Sequence, residues 1–427
     1  MHSILYHIAL GIYHLIIFTL YPFYPKAKQY ILGRKNWKEK LNGINFKDCD
    51  WIWVHFSSFG EYQDGKFSVN KLKEEFPATK FLYTFHSPSG YEALKNKNEA
   101  DYLCYIPFDY KYNAEYFIKT INPKCIIFCR NDIWYNYIKF AKKKEIPVIH
   151  LSTLIGINSG FLKFPQIWHY KKAFCLFDLL LTQNISTKNI LENIFNAKNA
   201  VLIGNTRIDS IFDRFEKNTQ YPKIKKFIGS EFCIVGGSLL KKDIENLTYA
   251  YHKLKTKRIK WIIIPHEINN LSFIMSNLSK DKILLYSEID QMKNSHEILI
   301  VDCVGILMDL YQYANLTYMG GGFNKIGIHN ILEPCMHGNK IIIGPNHRNY
   351  PEAIDLINLN ICEVIKDKKE LYQKIDMRYE GRDESLKDSK KAKHYVSSKR
   401  GASAESIIEI KTLLLKKNVL KHTPISE

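Results

Sequence analysis

The sequence lacks the loop motifs of several large enzyme classes. No G-x-G-x-x-G opens a β-α-β unit, no G-x-x-x-x-G-K-[ST] is present, and no G-x-S-x-G elbow occurs. These absences exclude the dehydrogenases, NTPases and hydrolases that depend on such loops. The nine cysteines form no C-x-x-C pair and no His/Cys cluster at zinc spacing, which indicates reduced thiols rather than a zinc or disulfide framework.

Acidic residues are in deficit. The chain has 43 Asp and Glu against 61 Lys and Arg, a formal net charge of +18. Such a charge favours an anionic partner, namely a phosphorylated substrate, an acidic membrane surface or nucleic acid, although solvated surface lysines explain it equally well. The basic stretches at 142–144, 223–226 and 253–260 are scattered and show no regular aromatic interleaving, which argues against a nucleic-acid groove.

One apolar run, from Ile4 to Tyr24, is long enough to cross a bilayer core, with His7 and His14 as its titratable interruptions. It has no basic n-region and no A-x-A-like cleavage site, so it is not typical of a removable signal peptide. Basic residues follow from Lys26 to Lys40, and such flanks stay on the cytoplasmic side. We expect residues 1–25 to form a membrane anchor that spans the bilayer or lies in its interface. The alternative is the buried first helix of a soluble protein.

Short apolar runs alternate with helix-like spacing along most of the chain, which predicts two series of buried parallel strands. The first series is Trp51–Phe56, Lys80–Phe85, Cys125–Cys129, Pro147–Ser152, Asp178–Gln183 and Ala200–Gly204. The second series is Phe232–Ser238, Lys260–Glu267, Lys282–Ser287, Glu297–Asp302, Leu316–Gly322 and Lys340–Pro345.

A charged, proline-containing segment separates the two series near residues 215–228 and indicates a domain boundary. The predicted fold class is α/β, with two Rossmann-like, doubly wound parallel-sheet domains and a cleft between them. We assign residues 26–220 to the first domain and 221–427 to the second, with the C-terminal helix packing back across a surface.

The stretch YMGGGFNKIGIHNILEP, Tyr318 to Pro334, follows one of the predicted strands. Ligands bind at the carboxyl ends of strands in open parallel sheets. We interpret Gly321 and Gly322 as letting a phosphate approach the main chain, before a helix that begins near Ile328 to Asn330. The carboxylate of Glu333 can accept hydrogen bonds from the vicinal hydroxyls of a ribose. Alternatively, the glycines form a tight turn and Glu333 complements the helix dipole.

Three further motifs fall at strand ends and supply the donors that a fixed phosphate needs. They are VGGS with Gly237 and Ser238, GNTRID with Arg207, and IIIPHE with His266. Together with the glycine loop they indicate a polar rim on one face, suited to a nucleotide-sugar.

These motifs, together with HFSSFGE and GPNHRNY, resemble those of the 3-deoxy-D-manno-octulosonic acid (Kdo) transferases of lipopolysaccharide synthesis. The resemblance runs from the N-terminal apolar segment to about residue 370. It implies a GT-B glycosyltransferase at the cytoplasmic side of the inner membrane. It also implies CMP-Kdo as donor, a lipid A precursor (lipid IVA) as acceptor, inversion at the anomeric centre, and neither a metal nor another cofactor.

The resemblance assigns the catalytic base to Glu61, the glutamate of S-x-G-E. An acceptor hydroxyl is a poor nucleophile near neutral pH, and a carboxylate can take its proton during attack. A plain helix N-terminal acid is the alternative for Glu61. Asp132 is the second catalytic candidate, because it stands where the family usually has a glutamate before Leu-Trp or Phe-Trp.

The other candidates contact substrate. CMP leaves as a phosphate anion, so groups that hold its charge matter more than a general acid. His55 either touches the sugar or nucleotide or is a satisfied strand-end histidine, and the same two readings apply to His266. The substrate-binding candidates are Ser58, Gly60, Arg207, Gly237, Ser238, His266, Gly321, Gly322, His329, Asn330 and Glu333.

The chain departs from the family at three places. Asp132 is one methylene shorter than the usual glutamate, Arg207 replaces a lysine, and no arginine occurs in Leu151–Gly160, where the family generally carries one. Two alternatives follow. One is a GT-B transferase or epimerase that uses another activated sugar. The other is a nucleotide-binding membrane protein whose catalysis is impaired by the changes near Asp132 and Ile155.

Overall fold

The structure is a computed structural model that describes residues 2–130, 132–156, 159–164, 166–267, 270–325, 327–348, 350–381 and 386–419, with backbone only for 2–5 and 386–388. The chain divides into two compact units. Unit 1 contains residues up to 210 together with those from 400 onward, and unit 2 contains residues 211–399. The division falls inside the helix Thr206–Glu216, short of the 220/221 boundary expected from the linker.

Unit 1 is built on a seven-stranded parallel sheet of order β3-β2-β1-β4-β5-β6-β7. Its strands are β1 Trp51–Phe56, β2 Lys80–Phe85, β3 Tyr102–Tyr105, β4 Cys125–Cys129, β5 Val148–Thr153, β6 Leu179–Thr182 and β7 Ala200–Leu202. Its helices are α1 His2–Leu20, α2 Pro25–Gly33, α3 Trp37–Asn42, α4 Phe59–Glu75, α5 Pro88–Leu94, α6 Lys111–Ile121, α7 Tyr135–Lys143, α8 Gln166–Phe174 and α9 Ile185–Asn193. The helix α10, Thr206–Glu216, leads into unit 2.

Unit 2 repeats the architecture with a seven-stranded parallel sheet of order β10-β11-β9-β8-β12-β13-β14. Its strands are β8 Phe232–Leu239, β9 Ile259–Pro265, β10 Ile283–Leu285, β11 Ile298–Ile300, β12 Leu316–Met319, β13 Ile341–Ile343 and β14 Cys362–Val364. Its helices are α11 Pro222–Ile228, α12 Lys241–Leu254, α13 Leu271–Ser276, α14 Leu307–Leu310, α15 Leu332–Met336, α16 Pro351–Asn358, α17 Lys368–Tyr379 and α18 Leu386–Ser397. The helix α19, Ala402–Lys416, returns to unit 1.

The central strands of unit 1 are buried on both faces, as apolar runs in a parallel sheet require. Every residue of β1, β4 and β5 is buried. Side chains alternate between two cores, with Trp53 and Phe128 on one face and Phe56, Tyr83 and Phe85 on the other. The twelve predicted strands are confirmed, and the two that the sequence did not reveal, β3 and β14, are short edge strands with partly exposed side chains.

Helix α1 turns its polar side chains toward unit 1. His14 Nδ1 lies 2.7 Å from the Tyr110 hydroxyl, and His7 Nε2 lies 3.3 Å from Asn136 Nδ2. The two histidines that interrupt the apolar run therefore face the protein. The outward face is aliphatic and exposed, with Ile8, Ile12, Leu15 and Ile16.

Helix α2 is fixed by the buried guanidinium of Arg34, which donates to the backbone carbonyls of Tyr30, His86 and Ile106. In the part of the chain that the structure describes, no single helix meets the length and hydropathy expected of a membrane span. The segment Tyr6–Leu20 and α2 meet these criteria together, across a bend of 119°.

Helix α19 belongs to unit 1 and begins beside α10. The Asp209 carboxylate accepts hydrogen bonds from the backbone N–H groups of Gly401 and Ser403, at 2.8 and 2.7 Å. Ser403 in turn is 3.0 Å from Ser68 on α4. The C-terminal helix is therefore tied to the elements that carry the predicted base and Arg207.

Candidate functional site

The predicted base, Glu61, lies in the first turn of α4, three residues after the N-cap Ser58. Its Oε2 accepts a hydrogen bond from the Ser58 N–H at 3.1 Å, as the glutamate of a capping box does. Ser58 and Glu61 are thus held together by local structure. Gly60 is exposed between them, and a Cβ there would meet only Ser58 Oγ at 3.7 Å, so no close approach demands glycine at this position.

The surroundings of Glu61 change its acidity. Burial, and after it the negative charge of Asp132, raise the pKa of Glu61 from 4.5 to about 8. The positive charge of Arg130 acts in the opposite direction, and Asp64 acts in the same direction as Asp132. A carboxylate with a pKa near the working pH is suited to general-base catalysis, because it binds a proton strongly and still releases it.

A chain of hydrogen bonds in unit 1 ends on Asp132. Trp53 Nε1 is 2.8 Å from Thr84 Oγ1, Thr84 Oγ1 is 2.7 Å from His55 Nδ1, and His55 Nε2 is 2.9 Å from Asp132 Oδ2. An indole N–H can only donate, so the Thr84 oxygen accepts from Trp53 and its own proton points to His55. His55 therefore carries its proton on Nε2 and donates it to Asp132.

This chain fixes the protonation of both ends. Burial lowers the pKa of His55, which keeps the ring neutral. Burial alone would raise the pKa of Asp132, but the hydrogen bond from His55 brings it below its ordinary value. Trp134 Nε1 donates to the same Asp132 oxygen at 3.2 Å. His55 has both ring nitrogens bonded and no exposed surface, so it is a satisfied strand histidine that holds Asp132 in place.

Arg207, in the first turn of α10, reaches α4. Its Nε lies 3.4 Å from Oδ1 of Asp64, and Oδ2 of the same carboxylate pairs with Arg130. Asp64 is one helical turn after Glu61, so the structure brings Arg207 to the helix that carries the predicted base. Thr206 Oγ1 supports this contact by donating to the Asp64 carbonyl at 2.6 Å.

In unit 2, the glycine loop follows β12 and is packed against the protein's own backbone. A Cβ on Gly320 would collide with the Ser238 carbonyl, and a Cβ on Gly322 would lie 2.5 Å from the Gly344 nitrogen. Gly321 has φ +92°, a left-handed conformation that favours glycine. Close backbone packing and a tight turn are therefore sufficient reasons for these glycines. A role in phosphate binding stays a prediction.

The N–H of Gly321 is engaged by Asp243, a residue that the sequence analysis missed. The Asp243 carboxylate accepts from Gly321 N at 2.8 Å, from Leu240 N at 3.0 Å and from the Tyr318 hydroxyl at 2.9 Å. Burial raises the pKa of Asp243. An acid three residues after the strand-to-helix turn, in the pattern of a capping box, is the sequence signal that could have identified it.

The helix after the glycine loop differs from the prediction. It was expected to begin near Ile328 to Asn330, but α15 begins at Leu332 and has only five residues. Asn330 precedes it in a turn, where its Oδ1 accepts from Leu332 N at 3.2 Å and its Nδ2 donates to Glu333 Oε1 at 2.8 Å. A five-residue helix carries a weak dipole, so Asn330 and Glu333 form a side-chain pair rather than part of a strong helix terminus.

The remaining candidates of unit 2 meet at the ends of β8, β9 and β12. The rings of His266 and His329 stack with centroids 4.3 Å apart. The backbone of His329 donates to Gly320 O at 3.3 Å, which places it on the glycine loop. Ser238 sits in a bulge of β8 with φ +53°, and a Cβ on Gly237 would collide with the buried Tyr311 hydroxyl.

The structure thus gathers the predicted residues into two groups, one in each unit. Their binding and catalytic roles stay predictions. Sequence reasoning missed Asp64, Arg130 and Thr84, because their partners lie far away along the chain, and it missed Asp243 despite the local capping-box pattern. Three segments that were singled out include positions outside the described residues, namely 157–158, 326 and 349.

Comparison with known proteins agrees with the motifs. The family model described as "3-Deoxy-D-manno-octulosonic-acid transferase (kdotransferase)" matches residues 35–210. The chain is 27% identical to the 3-deoxy-D-manno-octulosonic acid transferase of Chlamydia muridarum, over 82% of this chain and 81% of that protein. It is 28% identical to the protein of the same name from Aquifex aeolicus, over 70% of this chain and 78% of that protein.

Solved structures share the fold. A glycosyltransferase from Rickettsia africae superposes with a TM-score of 0.56 at 16% identity, covering 88% of this chain and 100% of that one. UDP-GlcNAc 2-epimerase from Neisseria meningitidis, bound to UDP-GlcNAc, superposes with a TM-score of 0.58 at 15% identity, covering 86% and 100%. Two parallel α/β units and these neighbours give the GT-B fold. The matched family model and the sequence relatives support the Kdo transferase family for this chain.

Proposed function

We propose that this protein is an inverting, metal-independent glycosyltransferase that moves Kdo from CMP-Kdo to a hydroxyl of a lipid A precursor in lipopolysaccharide core synthesis. The observation that carries the proposal is the state of Glu61. Its carboxylate is fixed by the α4 cap and its pKa is raised to about 8, beside the ionised Asp132. A structural capping acid needs no such shift, whereas a general base is improved by it.

In the proposed reaction, the acceptor hydroxyl attacks the anomeric carbon of Kdo while Glu61 takes its proton. The new carbon–oxygen bond forms as the bond from that carbon to the CMP oxygen breaks, with inversion, and CMP leaves with the bonding electrons. Asp132 strengthens the base, because its negative charge favours the protonated form of Glu61 that this step creates. The chain of hydrogen bonds through His55 keeps Asp132 charged and oriented.

Unit 2 supplies the proposed contacts to the nucleotide. Because Gly321 N–H is already bonded to Asp243, side chains rather than that N–H have to hold the phosphate. The Ser238 hydroxyl and the Asn330 amide are the donors proposed for it. Glu333 keeps one carboxylate oxygen for Asn330 and is proposed to accept ribose hydroxyls with the other.

The proposed lipid acceptor requires membrane association, and two features of unit 1 support it. The first is the aliphatic outer face of α1. The second is a groove of about 600 Å³ lined by Tyr135, Trp168 and the Lys171–Lys172 pair. Exposed Phe164 packs edge-on to Trp168 at 5.0 Å, and exposed aromatic rings beside lysines are typical of a membrane interface. We propose that the protein lies on the cytoplasmic face of the inner membrane.

A second candidate is a GT-B enzyme acting on another activated sugar, which the likeness to a UDP-GlcNAc 2-epimerase favours. A third candidate, a nucleotide-binding membrane protein without catalysis, rests on the shortened Asp132. Nucleotide preference separates the second candidate from the main proposal, and turnover separates the third. Tighter binding of UDP-sugars than of cytidine nucleotides would support the second candidate.

The experiment that tests the proposed function uses the full chain in membranes, with CMP-Kdo and a tetraacylated lipid A precursor. CMP release and the mass of the lipid product are measured for the wild type and Glu61→Gln. We expect release of CMP, a product heavier by whole Kdo residues, and loss of both with Glu61→Gln. Nucleotide binding without product would support the non-catalytic candidate.

A further inference from the structure

Two arginines share one buried carboxylate in unit 1. Asp64 has a side chain only 4% exposed, whereas the side chains of Arg130 and Arg207 are 25% and 31% exposed. Each arginine contacts a different oxygen of the carboxylate. Asp64 therefore anchors two guanidinium groups, while part of each arginine side chain stays exposed to solvent.

The backbone supports this position for Arg130. It follows β4 with φ +66°, a left-handed conformation that is costly for a non-glycine residue by about 1 kcal/mol. Its N–H donates to the Leu151 carbonyl of the neighbouring strand at 2.8 Å. In this conformation the side chain of Arg130 reaches Asp64 on α4. Strained residues of this kind concentrate at functional sites.

The Asp64 carboxylate forms ion pairs with two arginines. One carboxylate faces two guanidinium groups, and among the described residues no second acid forms an ion pair with either arginine. A single arginine would satisfy Asp64, because one guanidinium can bind a carboxylate through two N–H groups. The second arginine is therefore more than the Asp64 ion pair requires, and both arginine side chains stay partly exposed.

We propose that Arg130 and Arg207 together bind an oxyanion of a substrate. This inference rests on the proposed function for the identity of that substrate, which offers two sources of the same chemistry. The transferred sugar is an acid, and its carboxylate adjoins the anomeric carbon where the base must act. The lipid acceptor carries phosphates. Both are planar or tetrahedral oxyanions that paired guanidinium groups bind with direction.

The location fits either source. Asp64 is one turn from Glu61 on α4. The positive charge of Arg130 lowers the pKa of Glu61, in opposition to burial and to the charge of Asp132. An anion bound by the two arginines would therefore lie close to the proposed base. Such a contact would orient the donor or the acceptor for attack.

The first test measures binding without turnover. Free Kdo and its methyl ester are titrated by calorimetry into the full chain, as wild type, Arg130→Gln, Arg207→Gln and Arg214→Gln. Arg214 is the matched control, because it also pairs with a buried carboxylate, that of Asp309, in unit 2. Loss of a charge-assisted hydrogen bond predicts weakening of Kdo binding by about 10- to 100-fold for both site variants and none for the control.

The second test addresses the acceptor. Binding of the lipid A precursor, with and without its phosphates, is compared for the wild type and Arg130→Gln in detergent micelles. If the arginines bind the donor carboxylate, the methyl ester binds weakly and the phosphates have no Arg130-dependent effect. If they bind a phosphate, the reverse holds. Equal binding of every probe by the wild type and Arg130→Gln, or binding of no probe by the wild type, overturns the proposal.

Removing Arg130 leaves Asp64 less compensated, so a folding defect has to be separated from a binding defect. The double variant Asp64→Asn with Arg130→Gln removes both charges, and thermal unfolding monitors its fold. We expect this folded variant also to bind the oxyanion weakly, and wild-type binding by it contradicts the proposal. Arg130-dependent Kdo binding in a protein without transferase activity would refute the proposed function and leave this inference standing.

Discussion

Replacing Glu61 tests whether its carboxylate is a base or only a helix cap. Glutamine keeps an oxygen that can accept the Ser58 N–H, but it cannot take a proton at the pH of catalysis. Alanine removes both functions. If Glu61 is the general base, Glu61→Gln and Glu61→Ala each lose about 10²- to 10⁴-fold in kcat. If it is only a cap, Glu61→Gln stays active and Glu61→Ala loses stability alone.

The stability of the two variants provides a second readout, because Glu61→Gln is expected to lose activity but to gain stability at high pH. The pKa of Glu61 is raised above its unfolded value of 4.5 to about 8, so its contribution to stability is present at low pH and is lost as pH rises through about 8. The full shift would correspond to at most about 5 kcal/mol at 1.36 kcal/mol for each pH unit. Solvent screening of a partly exposed group reduces this to about 1–2 kcal/mol.

Glutamine avoids the loss of stability that ionisation of Glu61 causes at high pH, because its side chain stays neutral at every pH. We expect Glu61→Gln to unfold at nearly the wild-type temperature at pH 5 and about 2–6 °C above it at pH 8. Glu61→Ala should unfold below Glu61→Gln at both pH values, by the roughly 1 kcal/mol that a lost cap costs. Transferase assays and calorimetric melts of the three proteins give the comparison. Activity of Glu61→Gln within about threefold of the wild type would refute the assignment of the base.

Three other outcomes are expected. A base with a pKa of about 8 is about one tenth ionised at pH 7 and half ionised at pH 8, so kcat/KM of the wild type should rise about fivefold over that interval; a flat profile contradicts this. Gly322→Ala should destabilise unit 2 by about 2 kcal/mol or more, because its Cβ would lie 2.5 Å from a backbone nitrogen, whereas Gly156→Ala, with open space around it, should be nearly neutral in melts. Reversing both charges of the Lys171–Lys172 pair should weaken binding to vesicles of anionic phospholipid by at least about tenfold. The same change at the exposed Lys225–Lys226 pair should have a smaller effect. An equal effect would show that vesicle binding depends on the net charge of the protein and not on the groove.

Much of the fold follows from local patterns, since a parallel strand buried on both faces is an unbroken apolar run and needs no knowledge of its neighbours. The edge strands Tyr102–Tyr105 and Cys362–Val364 escaped this test because their neighbours cover only one side. The candidate site divides in the same way. Glu61 and Asn330 were identified from motifs, whereas the contact of Asp64 with Arg130 joins residues 66 apart in sequence. No local pattern contains such a pair.

The glycine loop shows how one sequence pattern can have two physical causes. Three consecutive glycines mean that something approaches the backbone closely, and a bound phosphate and the protein's own main chain produce the same requirement. In the structure, the Ser238 carbonyl and the Gly344 nitrogen occupy the space that side chains on Gly320 and Gly322 would need. Asp243 takes the N–H of Gly321. Close packing against neighbouring strands is therefore a sufficient reason for these glycines, and nucleotide binding by Gly321 and Gly322 stays a prediction beside the proposed contacts of the paired Asn330 and Glu333.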